Sequence, residues 1–212
     1  MMKFETLAQA VVEGDAVNVS SLVRQGLADG VPAETIIAEG LTPGMTKVGE
    51  LFHEGEYFLP EMLFSARAMQ AGTKLLEPIL AQCNFEAVAT IVLGTVQGDI
   101  HDIGKNIVGM MMKGAGFSVI DLGQAVPAER FVEAVAEHKP EILGLSALIS
   151  TTTPAMKTVL DALQEAGLRD RVKVMVGGAP VTQEYADNIG ADGYAVDAPW
   201  AVKRAKALLG LD

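Results

Sequence analysis

The stretch Gly98-Asp99-Ile100-His101-Asp102-Ile103-Gly104-Lys105 sets one of only three histidines between two aspartates and two glycines. An imidazole in such a turn can act as acid, base or metal ligand. A phosphate-binding loop would need Gly, four residues, then Gly-Lys-Ser/Thr, but five residues separate Gly98 from Gly104 and Asn106 stands where the hydroxyl should be. A hydrolytic metal site could draw on Asp99, His101 and Asp102, yet the other histidines, His53 and His138, lie in no ligand-spaced motif. A third reading is a loop histidine bonded to a neighbouring aspartate for local order. Taken alone, the turn leaves that reading open.

The elements around the turn give it a position. Residues 87–96 form a mostly apolar run rich in β-branched side chains, which suits a strand buried on both faces of a parallel sheet. After the turn, Ile103, Ile107 and Met111 recur at helical spacing, and Asp102 can cap a helix running to about Gly114. His101 is thus expected at the carboxyl end of a strand and the positive end of a helix, where open α/β sheets bind ligands. Two further strand ends share this edge. Ser146-Ala147-Leu148 closes the apolar run Ile142–Leu145 with 41 residues intervening after Gly104, and Gly177-Gly178 closes Val172–Val176 with 28 intervening after Leu148.

The organisation changes near residue 85. Before it, apolar residues recur at helix period, as in Leu7, Val11 and Val12, then Val19, Leu22, Val23 and Leu27, with later sets at Ile36 to Leu41, Val48 to Phe52 and Met62 to Leu76. Breaks are expected at Gly14-Asp15, Gly30-Val31-Pro32, Thr42-Pro43-Gly44 and Gly55 to Pro60, giving an antiparallel bundle of four or five helices over 1–86. Over 87–212, strands near 88–96, 118–122, 142–146, 172–176 and 193–196 alternate with helices near 102–114, 128–138, 154–166, 181–189 and 198–209. The fold class is α/β: a helical bundle followed by a five-stranded parallel, doubly wound, Rossmann-like sheet, flavodoxin-like in strand order.

Composition sets the outer bounds. The chain has 212 residues, 50% of them apolar and 20% charged, and its 16 basic against 27 acidic residues give a net charge of −11. No basic cluster is present, which argues against nucleic acid as a partner. No apolar run reaches membrane-spanning length and the first residues lack the apolar core of a signal peptide, so a cytoplasmic, membrane-free protein is expected. The single cysteine, Cys83, excludes an internal disulfide framework and reads as an inert thiol in the segment joining the two halves.

Together, Asp99-x-His101-x-x-Gly104, Ser146-x-Leu148 and Gly177-Gly178 resemble the cobalamin-binding domain of methionine synthase, B12-dependent mutases and corrinoid methyl carriers. The resemblance implies a cobalamin or related corrinoid cofactor whose nucleotide tail enters the sheet domain while His101 becomes the lower cobalt ligand. It further implies Asp99 as the orienting acceptor of His101, and Thr152 as the hydroxyl that continues the relay, where methionine synthase has Ser. The tail would pass Gly104, Ser146, Gly177, Gly178 and Ala179, and Gly98, Asp102, Ile103, Leu148 and Ser150 would be further cofactor-binding residues.

The stretch VGELFHEGEYFLPEMLFSARAMQAG, 48–72, resembles the helical cap that precedes this domain in the same families. Carried over onto it, Phe52 and Leu59 shield the upper cobalt face, while Tyr57, Phe58 and Met62 are weaker candidates. Taken without the sheet domain's motifs, the stretch reads as a helix hairpin with Phe52, Phe58, Leu59 and Met62 in its core and Pro60 starting the last helix. The resemblance covers cap and cobalamin modules and leaves no room for a further catalytic domain. It implies a corrinoid methyl carrier rather than a complete enzyme. Its partners would be a substrate-specific methyltransferase, a second methyltransferase that passes the methyl group to tetrahydrofolate or coenzyme M, and a reductive-activation protein. A B12-dependent regulator and the small subunit of an adenosylcobalamin mutase are the alternatives; the first is disfavoured by the acidic charge and the second by the cap-like stretch. The segment Ala81–Glu86 is the expected hinge on which the cap swings.

Overall fold

The computed structural model describes residues 3–80 and 87–211, so the expected hinge and Cys83 lie outside the described residues. The chain divides into two compact units, one of residues 1–87 with 113–116 and the other of residues 88–112 with 117–212.

The first unit is helical. Helix α1 spans Phe4–Val12 and α2 Ala16–Ala28, and between them Asp15 caps α2 by accepting the Asn18 amide at 2.9 Å. Their buried faces carry Leu7, Val11, Val19 and Val23, the helical stripe expected from the spacing. A short α3 (Ala33–Thr35) runs into a π-helical segment, Ile36–Leu41, and on into α4 (Thr42–His53). The break expected at Thr42-Pro43-Gly44 is therefore absent. Proline lacks the amide that would bond one turn back, and the chain answers with a widened turn before it: the Thr42 amide bonds to Ile37, five residues back, and Pro43 falls in the first turn of α4. Helix α5 (Leu59–Leu80) follows a turn at which the Glu56 and Tyr57 amides both reach the Leu51 carbonyl. The hydroxyls of Tyr57 and buried Ser65 both donate to the carbonyl of Val12, at 3.1 and 2.9 Å, anchoring this turn to the end of α1.

The second unit is a parallel sheet flanked by helices. Strands β1 (Thr90–Thr95), β2 (Ser118–Asp121), β3 (Ile142–Ser146), β4 (Lys173–Gly177) and β5 (Gly193–Ala195) lie in the order β2-β1-β3-β4-β5, the flavodoxin-like order expected. Helices α6 (Ile103–Gly114), α7 (Ala128–His138), α8 (Pro154–Glu165), α9 (Gln183–Ile189) and α10 (Ala198–Leu209) alternate with them. The central strands are nearly continuous runs of buried Val, Ile and Leu, and Phe131, Leu143, Met156 and Val174 anchor a core with no exposed surface. Strand β1 pairs with β2 on one side and β3 on the other, so the chain direction across the sheet reverses between β1 and β3. Open sheets bind ligands in the crevice beyond such a reversal.

Candidate functional site

The turns that follow β1 and β3 meet at this reversal. The Asp99 amide closes a four-residue turn onto Val96 at 3.1 Å, with Gly98 in the left-handed region at φ 84°. This directs the fully buried Asp99 inward and leaves His101 half-exposed. One carboxylate oxygen, Oδ1, accepts both the backbone amide of His101 at 3.0 Å and its ring Nδ1 at 2.8 Å. The other, Oδ2, accepts the Leu148 amide at 2.7 Å and the Ile149 amide at 3.3 Å. The Thr152 hydroxyl stands 2.7 Å from Oδ2 and 2.9 Å from the Ile149 carbonyl, and its one proton goes to the charged acceptor.

Burial alone would raise the pKa of Asp99. The His101 amide, the Thr152 hydroxyl, the Leu148 amide and the His101 ring outweigh it and hold the carboxyl well below the usual carboxylate range. Asp99 is thus a fixed anion, and Nδ1 of His101 is the protonated nitrogen. With Nδ1 held by the carboxylate and the ring half-exposed, Nε2 is the nitrogen through which the imidazole could bind a metal.

The surroundings are apolar and open. Ile100 and Ile103 are each 67% exposed, and Leu148 and Ile149 follow at 45% and 40%, an apolar rim on the edge where ligands bind. Gly104, on the first turn of α6, has nothing within 4 Å of the position a Cβ would take. Ser146 ends β3, Ser150 and Ala179 are exposed, and Gly177 ends β4. Asp102 contributes its carbonyl, which accepts the Asn106 amide at 2.8 Å as α6 starts.

Gly178 differs from the other glycines. Its φ is 128° and an added Cβ would lie 1.8 Å from the Ala147 carbonyl oxygen, so the crossing of two backbones already requires glycine there. In the helical unit, Phe52 is half-buried on α4, Leu59 opens α5 at 40% exposure and Met62 is buried. The Tyr57 ring is held by its hydroxyl bond to Val12, and Phe58 is 65% exposed.

Several contributors carry no sequence signal. The Leu148 and Ile149 donors are backbone amides, which no residue type announces. Lys105, read only as a failed phosphate-loop lysine, is buried with its amine on both oxygens of Asp121 at 2.6 and 2.5 Å and on Asn106 at 2.8 Å. Among the described residues, no group of three or more His, Cys, Asp or Glu could hold a metal ion, so any metal would have to bring most of its own ligands. One half-exposed imidazole with an oriented free nitrogen, an apolar rim and an open helix start fit a large planar metal complex.

Residues 89–203 and residues 3–77 each match a family model described as B12 binding domain. The chain is 48% identical over 203 residues to dimethylamine corrinoid protein 3 of Methanosarcina acetivorans, covering 96% of this chain and 95% of that one. It is 44% identical to the trimethylamine corrinoid protein of Methanosarcina barkeri over 95% of this chain and 94% of that one. Among solved structures, the methanol:cobalamin methyltransferase complex MtaBC of Methanosarcina barkeri superposes with a TM-score of 0.87 at 34% identity, covering 98% of this chain and 79% of that chain. A cobalamin-binding protein of Desulfitobacterium hafniense gives 0.81 at 37% identity, covering 98% and 99%. Among the described residues, no helix is long and apolar enough to cross a membrane.

Proposed function

The chain belongs to the corrinoid proteins that serve methyltransferase systems, and we propose that it carries a methyl group from a methylated amine between two methyltransferases. When bound, the corrinoid supplies a cobalt that accepts and gives up the methyl group; the protein supplies position, cover and control. The observation that carries the reading is the His101 imidazole, pinned at Nδ1 by a buried carboxylate and free at Nε2 beside an apolar rim.

In this reading His101 would hold the cobalt through Nε2, and Asp99 and Thr152 would set how firmly it holds. Ser146, Gly104, Gly177 and Ala179 would accommodate the nucleotide tail, and the exposed Ile103 and Leu148 would offer the corrinoid an apolar contact. Phe52 and Leu59 of the helical unit would shield the methyl group from water. The methyl donor is the substrate of a separate methyltransferase, by likeness to the methylamine relatives, and the acceptor enzyme passes the group to tetrahydrofolate or coenzyme M. A reductive-activation protein restores the carrier after oxidation.

The test is reconstitution with methylcobalamin. The parent protein should bind it with the visible spectrum of histidine-ligated cobalt, and His101→Ala should bind but show the unligated spectrum and slower methyl transfer. An unchanged spectrum and unchanged transfer in His101→Ala would remove the assignment. Incubation with mono-, di- and trimethylamine and their methyltransferases then identifies the donor. Methylation from methanol or an aryl ether alone would overturn the amine assignment.

A further inference from the structure

Thr95 is the last residue of β1 and has no exposed surface. Leu93, two positions earlier on the same face of β1, is a buried apolar residue, and a valine would suit position 95 at least as well for packing. A fully buried hydroxyl calls for an acceptor. That acceptor is the backbone carbonyl of His101, 3.2 Å from Thr95 Oγ1.

His101 has three polar groups inside the turn, and all are held. Its amide and its Nδ1 go to Asp99, and its carbonyl goes to Thr95. The two anchors differ in kind. Asp99 belongs to the same turn as His101, so its bonds fix the ring relative to the turn. Thr95 belongs to the sheet. Its own amide bonds to the Gly123 carbonyl at 3.0 Å and its carbonyl accepts the Val126 amide at 2.9 Å, which leaves it no freedom to shift. Packing offers the turn little help, because Ile100 and Ile103, on either side, are each 67% exposed.

We propose that Thr95 is a positioning residue for His101: its hydroxyl fixes the turn to the sheet and so pre-aims Nε2 at the cobalt. The inference rests on the reading of His101 as the cobalt ligand. Without this bond the turn can pivot about Asp99, and each ligation has to order it again, which weakens the axial bond without emptying the cofactor site. One neutral hydrogen bond corresponds to a roughly three- to tenfold change in the ratio of ligated to unligated cobalt.

The experiment uses the full chain labelled with 15N-histidine, loaded with cobalamin and reduced to Co(II). The electron spin resonance splitting from the axial nitrogen reads the histidine-ligated fraction directly. Thr95→Val should lower the ratio of ligated to unligated cobalt roughly three- to tenfold at equal loading and equal melting temperature, whereas Thr95→Ser should keep it at the parent value. A Thr95→Val protein with the parent ratio would overturn the proposal, as would a loss that Ser does not restore.

Thr95→Ala serves if the core rejects Val. The cofactor-free parent gives a second measurement. With carbonyl-13C histidine, only three resonances are present, and the His101 signal should move in Thr95→Ala and stay in Thr95→Ser; an unmoved signal in Thr95→Ala counts against the proposal. His101→Ala, measured alongside, separates the two claims. If it retains the nitrogen splitting, the ligand reading fails; if it loses the splitting while Thr95→Val keeps it, only the role of Thr95 fails.

Discussion

Asp99 and Leu148 are 49 positions apart, yet the Leu148 amide donates to the Asp99 carboxylate at 2.7 Å. The turn after β1 is thereby tied to the turn after β3 by a side chain that also orients His101. One residue does structural and ligand-orienting work at once.

That double duty predicts unequal effects of two substitutions. Asp99→Ala removes a buried charged acceptor of several donors and should lower stability by about 2–4 kcal/mol. Asp99→Asn keeps one oxygen and should lose less, while still weakening the hold on the imidazole. Denaturant unfolding of the cofactor-free variants checks the order; equal stabilities would refute it.

Acid should act through the same group. The folded carboxyl titrates below its ordinary value of about 3.9, so its stabilisation is complete above about pH 5 and is lost as pH falls below 4 toward the folded-state value. Melting temperatures of the cofactor-free protein between about pH 5 and 2 should fall more steeply for the parent than for Asp99→Asn. Parallel curves would show that another carboxyl governs the acid limb.

Two glycines at the same sheet edge should separate folding from binding. Gly104→Val meets open space and should fold normally while losing cobalamin affinity. Gly178→Ala drives a Cβ into the Ala147 carbonyl at a φ that side chains rarely adopt, and should lose folding first. The sequence suggested one role for both, room for the tail. Calorimetric titration with cobalamin beside a thermal melt reads the split, and parent-like affinity in Gly104→Val would mean that the tail runs elsewhere.

The ion pair of Lys105 and Asp121, buried only on the lysine side, should be asymmetric. The lysine side chain is 2% exposed and its partner 45%. Lys105→Met fills the space and leaves a carboxylate that water can reach, whereas Asp121→Ala strands a buried ammonium. Asp121→Ala should be the more destabilising by about 1–3 kcal/mol, and the reverse order would show that the pair gains nothing from its burial.

Cover of the methyl group is a separate expectation. Phe52→Ala and Leu59→Ala should speed photolysis of bound methylcobalamin several-fold with nearly unchanged affinity. Parent-like photolysis in both would leave the shielding role without support.

The sheet domain was legible because its central strands are unbroken apolar runs and its turns carry Gly, Asp and Pro at the required places. Strand order followed from alternation with helices, since parallel neighbours need crossovers. The meeting of Asp99, His101 and Thr152 was anticipated by resemblance, while Thr95 was passed over because a threonine in a strand is ordinary. The Leu148 and Ile149 amides had no signature at all. At Thr42-Pro43-Gly44 local propensity said break, and packing of α4 against α1 kept the helix going through a π turn.

That π turn makes the helical unit tolerant of one kind of indel. A π segment is an α-helix with one residue too many per turn. Deleting a single residue within Ile36–Leu41 should let the segment relax to ordinary winding and leave Met45 and Val48 facing the core they face now. The same deletion placed between Thr46 and Glu50 would turn Phe52 by about 100° around the helix axis. Chains of this kind that differ in length by one residue within the continuous helix from Ala33 to His53 should therefore differ at Ile36–Leu41, where length can vary without changing the phase of α4.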